Sequence, residues 1–354
     1  MRRRTRLTLL IVLLVAAILA LIVVLRSQAP PEAVRLLPGA DAFVYFDLKW
    51  VRRLASLSEL PPVTHDPAYE QFIQETGFQF ERDLDEAAFA VHYTGPLAGP
   101  DGMPRFSEVF TGHWNAERVS QYLTKIANSV EKYRDIEVFD IPLQGRTVRV
   151  AMLGVGTVAV SNTDDPLVIR GIIDRSRKLA SPFGGPSLLR AYYRNVPFGS
   201  LAWAVISHPD QLQTDRVGGL LLPGDYRQML SNSVVVVSVR FLRAIHLRVE
   251  GFFPDATKAA QASEKLGAWL AILHTLEPNV SEGAGGDQDV KRFFDSLQAD
   301  QEKNHVTLSA IMPVGFIRKV IAGPVPEPPT PAPPTAPEAK KPTKHQGRKR
   351  KLTH

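Results

Sequence analysis

Residues 233–250 read SVVVVSVRFLRAIHLRVE. Four consecutive valines, Val234–Val237, mark Ser233–Phe241 as a strand buried on both faces. After a short link, Ile245, Leu247 and Val249 alternate with His246, Arg248 and Glu250. Period two is the pattern of a half-buried antiparallel partner, with the polar set facing solvent. A long helix, Asp255–Leu276, follows. Gly283–Gly286 reads as a flexible loop, Val290, Phe293, Phe294 and Leu297 as another helical face, and Val306–Ile311 as a strand, with a short helix ending near Ile321.

The same alternation of strands and helices runs upstream. Leu37-Pro38-Gly39-Ala40-Asp41 is a turn, and Ala42–Leu48 (AFVYFDL) has the aromatic and β-branched content of a strand. Trp50–Leu57 and His65–Thr76 read as helices, the first with Val51, Leu54 and Ala55 on one face and the second stopped by Gly77. Ala87–Tyr93 and Phe106–Gly112 read as strands around a Pro/Gly loop at Gly95–Pro104. Asn115 caps an amphipathic helix through Val119, Tyr122, Leu123, Ile126 and Val130. Ile136–Ile141, Thr147–Leu153 and Thr157–Ser161 are strands, and Asp164-Asp165-Pro166 opens a helix with acid at its positive end. Ser181–Pro186 is the internal boundary, and Ser200–Ser207 is the next strand.

The fold class expected from this order is α+β: two related halves, 36–185 and 186–323, each an antiparallel sheet with helices on one face. Leu37–Phe46 (LPGADAFVYF) pairs in pattern with Val196–Ile206 (VPFGSLAWAVI), and Thr111–Glu117 (TGHWNAE) with Glu250–Thr257 (EGFFPDAT). A degenerate duplication explains both pairs; two similar β-to-α transitions arising by chance is the competing reading.

Ahead of this body lies Leu7–Leu25, LTLLIVLLVAAILALIVVL, 19 residues without a charge. As a helix it spans roughly 28 Å, close to a hydrocarbon core of about 30 Å. A soluble helix of that length shows a polar stripe, and this one has none. The run is longer than a signal-peptide core, and Pro30 follows the nearest small-residue site, Ser27-Gln28-Ala29, so the reading is an uncleaved anchor. Arg2, Arg3, Arg4 and Arg6 form a basic tip, 1–6, that orients the N-terminus to the cytoplasm. Residues 26–35 are a linker stiffened by Pro30-Pro31, and everything beyond is extracytoplasmic, periplasmic in a Gram-negative cell.

The opening LPGADAFVYFDL, followed by a helix, resembles a group of bacterial single-pass proteins with extracytoplasmic domains. The resemblance implies this topology and fold and carries no activity with it.

Charge supports the same division. The chain has net charge +6 and pI near 9.5. Yet the first 26 residues hold five Arg, and Pro324–His354 holds seven Lys/Arg against two Glu, leaving 30 basic and 34 acidic residues between. A mildly acidic body speaks against nucleic acid as a partner. Pro326–Pro337 favours extended polyproline-like conformations, and the basic Lys340–Lys351 beyond it suits anionic envelope polymers or lipid headgroups. With few large apolar residues, 324–354 is expected to be disordered.

No catalytic, cofactor-binding or metal-binding residue is assigned. Cys 0 excludes disulfides and thiolate chemistry. Gly154-Val155-Gly156 lacks the third glycine of a dinucleotide site, Ala159 standing there, and reads as a hairpin turn. Ser129-Val130-Glu131-Lys132 matches SxxK, but KTG is absent. The body histidines, His65, His92, His113, His208, His246, His274 and His305, have no ligand spacing. His246 reads as a surface residue, His113 beside Trp114 and Asn115 as a structural histidine or part of a dispersed site, and Asp287-Gln288-Asp289 as helix capping. The expected function is an envelope binding or scaffold module with a protein partner; the alternative is a hydrolase with a dispersed site. A pocket with two carboxylates, or His113 against an acid, would favour the enzyme.

Overall fold

The computed structural model describes residues 29–58, 65–93, 104–143, 145–177, 185–211, 229–282 and 288–316. The span Leu7–Leu25, Gly283–Gly286, the tail from Pro324, most of the Gly95–Pro104 loop and most of Ser181–Pro186 lie outside them. Among the described residues no helix is long and apolar enough to cross a membrane.

The protein is α+β, built on one large antiparallel sheet. The strands are β1 (Ala42–Asp47), β2 (Leu84–His92), β3 (Arg105–Gly112), β4 (Ser129–Tyr133), β5 (Ile136–Leu143), β6 (Arg146–Gly154), β7 (Thr157–Ser161), β8 (Ser200–Ser207), β9 (Val234–Phe241), β10 (Ile245–Phe252), β11 (Gln298–Glu302) and β12 (His305–Met312). Among the described residues they form a single 12-stranded sheet in the order β11-β12-β10-β9-β8-β1-β2-β3-β7-β6-β5-β4. The expected two sheets are therefore continuous. They join where β1 pairs with β8, from Ala42 opposite Ile206 to Phe46 opposite Ala202.

Helices cover both faces, not one. On the first face lie α1 (Glu32–Leu36), α6 (Leu167–Ser176) and α7 (Ser187–Tyr192). Their Val34, Ile169, Ile172 and Leu189 bury Phe43, Tyr45, Ala88, Val109, Trp203 and Val205 of the sheet. On the second face, α5 (Ala116–Ile126) sets Val119 and Leu123 on Phe139 and Val150. Strand alternation explains the difference. Val138 and Ala151 point to the first face while their neighbours Phe139 and Val150 point to the second, so both need cover. Each large side chain so buried contributes roughly 1.5–3 kcal/mol.

Several sequence expectations shift for local reasons. The core reaches back into the linker, because Ala33 and Val34 of α1 are buried. The helix after Asn115 stops at Ile126, and Ser129–Tyr133 is the edge strand β4, which leaves Val130 exposed. Val51 is likewise exposed on α2 (Leu48–Ser58). Glu250, expected in solvent, is buried on the first face opposite Val236, where the Arg248 guanidinium pairs with it at 2.7 Å. The helix α3 (Pro67–Thr76) is capped by Asp66 and stopped by Gly77 at φ 73°. Short α4 (Phe80–Asp83), the polar edge strand β11, α8 (Ala256–Glu282) and α9 (Gln288–Asp295) complete the chain.

Gly112, in the TGHW stretch, is required by close approach. A Cβ there would press onto the Asp83 carbonyl and lie 3.0 Å from the Trp114 ring. That carbonyl accepts a hydrogen bond from the His113 N–H at 2.8 Å and cannot give way. Gly112→Ala should lower stability by about 1–3 kcal/mol, read as a fall in the urea midpoint; an unchanged midpoint would show that the β2–β3 end yields freely.

Candidate functional site

The second face of the β8–β12 half holds an apolar cavity of about 130 Å3. Its floor is Val235 of β9, Val249 and Gly251 of β10, and Val306 and Leu308 of β12; Phe253 follows β10, and Met229 and Leu230 close one side. Its roof is α8, which Asp255 starts by accepting a hydrogen bond from the Lys258 N–H at 2.8 Å. From there Ala259, Ala262, Leu266 and Leu270 recur at helical spacing and turn toward the sheet. The small alanines let the helix approach, and Gly251 keeps the floor low: a Cβ there would meet the Phe253 ring at 3.1 Å. Among the described residues no polar side chain lines the cavity, so water entering it would find no partners. A cavity of about 150 Å3 lined by Leu, Ile and Phe is known to stay dry and to accept benzene or xenon.

The polar clusters lie elsewhere. His113 Nε2 contacts Asp85 Oδ2 at 3.0 Å, the acid partner that a dispersed active site would use. Its ring, however, is 80 % exposed, and the same carboxylate also binds Arg52 at 2.5 Å. Arg52 in turn donates to the Leu84 carbonyl, so the trio ties α2 to the start of β2.

His65 bridges Glu70 at 2.8 Å and Glu81 at 3.1 Å, and these hydrogen bonds, chiefly the one to Glu70, hold its imidazole above the ordinary value. Tyr69 completes that cluster by donating to Glu81 at 2.8 Å; burial pushes its phenol up to about 12. His92 is buried against Ser107 at 3.2 Å, and burial pushes it down, toward the neutral form. Ser161 continues this line, 2.8 Å from the Thr163 hydroxyl. None of these clusters lines the cavity.

The sequence candidates are dispersed. Gly154 and Gly156 form the β6–β7 hairpin. Ser129 and Lys132 sit on β4, where three residues' separation puts them on opposite faces; Ser129 bonds Asp140 and Lys132 pairs with Asp135. His246 is half-buried on β10, and Asp289 begins α9 beside Arg292. Among the described residues no group of three or more His, Asp or Glu is placed to hold a metal ion.

No protein-family model and no curated protein matches the chain. Among solved structures it is similar to crystal form I of TP0453, at 11 % identity and a TM-score of 0.42, over 83 % of this chain and 98 % of that one. Crystal form III of TP0453 gives 10 %, 0.41 and the same coverage.

The cavity was not legible in the sequence. Its lining comes from three strands and a helix that meet only after folding, and the one local signal is the run of small residues at Ala259 and Ala262.

Proposed function

We propose that this chain is a single-pass membrane protein, N-terminus inside, whose extracytoplasmic body binds an apolar ligand, or the apolar part of a larger one, beneath α8. The observation that carries the binding reading is the cavity lined by apolar side chains alone. Such a lining offers shape and transfer free energy but no acid, base or nucleophile, so it suits holding a molecule better than converting it. The anchor rests on Leu7–Leu25 and the arginines before it. Duplication of the two halves is supported by the strand order, in which β1-β2-β3 and β8-β9-β10 run outward from one seam, each followed by helix and by a last strand, β7 or β12, that returns beside the third. Adhesion of Lys340–Lys351 to anionic envelope polymers or headgroups, and an envelope protein partner, belong to the same reading. The enzyme alternative retains two observations: the His113–Asp85 contact, in an exposed setting with Arg52 already on the carboxylate, and an open surface pocket lined by Glu117, Lys132, Asp135 and Glu137.

Benzene tests the cavity. Saturating it should raise the thermal midpoint of the full chain in lipid nanodiscs, because a ligand bound only by the folded state stabilises that state. Ala262→Leu, which fills the space, should remove that response. Equal shifts in both proteins would place any benzene effect elsewhere and end the cavity reading.

A further inference from the structure

One end of the sheet carries exposed apolar side chains set among cations. Phe198, just before β8, is 83 % exposed; Leu242, in the β9–β10 turn, is 58 % exposed; Trp50, on α2 just after β1, is 49 % exposed. Strand pairing brings them together. Ser200 lies opposite Arg240 and Phe46 opposite Ala202, so all three tips leave the sheet at the same end. The strands β10, β9, β8 and β1 are consecutive neighbours, and at about 4.8 Å spacing they span roughly 15 Å. Lys49, Arg53 and Arg243 are exposed beside Trp50 and Leu242 in the chain, with the Arg53 guanidinium 4.9 Å from the Trp50 ring centroid. No Asp or Glu occurs in residues 194–201 or 240–247; at the third tip, Asp47 accepts a hydrogen bond from the Trp50 N–H at 3.1 Å.

From this arrangement we infer that this end of the sheet is a docking surface for anionic lipid. Aromatic and aliphatic tips among Lys and Arg suit the boundary between headgroups and acyl chains: the apolar atoms leave water while the cations meet phosphate. A protein partner would have to supply both apolar and acidic surface; the bilayer supplies both and is held nearby. In the anchored reading, on which this inference rests, six residues, 26–31, lie between Leu25 and Glu32, where α1 begins. At no more than about 3.6 Å per step from Leu25, the start of α1 stays within roughly 25 Å of the membrane, so a weak surface contact of the body becomes an intramolecular one. The contact fixes how the body stands on the bilayer.

A chain with no cysteine allows single labels. Phe198→Cys, Leu242→Cys and, at the opposite end of the sheet, Glu302→Cys would each carry an environment-sensitive nitrobenzoxadiazole dye in the full chain. The chain would be reconstituted into phosphatidylcholine vesicles with or without phosphatidylglycerol, and alkaline carbonate extraction would report separately on the anchor. With phosphatidylglycerol, the dyes at 198 and 242 should shift to the blue and be quenched by doxyl lipid, while the dye at 302 stays in water. The shift should be lost on phosphatidylcholine alone and in an Arg53→Glu, Arg243→Glu double variant. Dyes at 198 and 242 that match 302 on anionic vesicles overturn the inference, whether or not the chain resists extraction. A shift equal on neutral vesicles and indifferent to charge reversal overturns it as well. A chain that carbonate extracts but whose labels still shift on added anionic vesicles removes the anchor and leaves the surface standing.

Discussion

Glu108→Gln should stabilise the protein at pH 8 and leave it nearly unchanged at pH 4. Glu108 sits in mid-strand on β3, opposite Phe89 of β2 and Val160 of β7. Among the described residues it has no hydrogen bond or ion pair, and burial pushes its carboxyl up to about 7. In the unfolded chain a glutamate titrates near 4.3. The folded state therefore holds the proton longer. Below about pH 4 both states are protonated and the group costs nothing through ionisation. As pH rises toward 7 the unfolded state ionises first, and stability falls. Above 7 the loss levels off at about 4 kcal/mol, since each tenfold difference in proton affinity between the two states is worth about 1.4 kcal/mol. Glutamine cannot ionise, so the variant should show a flat profile where the parent declines. Urea unfolding of the full chain in nanodiscs, at steps from pH 4 to pH 8, measures both curves. A parent whose stability does not change over that range would show that Glu108 reaches solvent or a partner cation.

Trp203→Ala should cost about 3–5 kcal/mol, the usual loss for a large aromatic removed from a core. The indole is buried on β8, stacked on Tyr45 of β1 with centroids 5.5 Å apart, and Tyr193 meets it edge-on at 5.2 Å. Tyr45 reaches Glu86 by a hydrogen bond, and burial raises both groups, keeping each toward its protonated form. Among the described residues this cluster lies across the only strand pairing between the β1–β7 and β8–β12 parts of the sheet. Its loss should therefore act unevenly. Amide protection from hydrogen exchange should fall first in β1 and β8, while β5–β6 and β10–β12 keep theirs. Uniform loss across all strands would show that the sheet opens as one unit and that this pairing is no seam.

Much of the fold was legible because it is written in local periodicity. Thr157–Ser161 and Ser200–Ser207 match the strands residue for residue, and the helices after Asn115 and Asp255 begin at those caps. What failed was decided at long range. Period two gives a strand two faces but does not say what covers each, so the helices after Asn115 and Asp255 were legible while their place on the second face was not. Residues 298–302, QADQE, have no apolar face and become a strand only because β12 offers its edge. Val130 fits a helical face by spacing, yet the chain has already left the helix at Ala127 and pairs with Phe139. Among candidate site residues, the unremarkable spacing of His113 and Asp85 hid their contact, and the cavity has no signature in any single segment.

The open sheet also has two ends across its width. They are β4, SVEKY, and β11, QADQE, both five residues long, the first carrying Glu131 and Lys132 and the second Asp300 and Glu302. An exposed strand edge invites another chain to add to it, and charge on the outermost strand is how natural sheets prevent this. Molecules tethered to one bilayer meet far more often than molecules free in three dimensions, and each meets its neighbours in a similar orientation. In the anchored reading proposed above, short, charged outer strands would let the protein be crowded on a membrane without its sheets growing into one another.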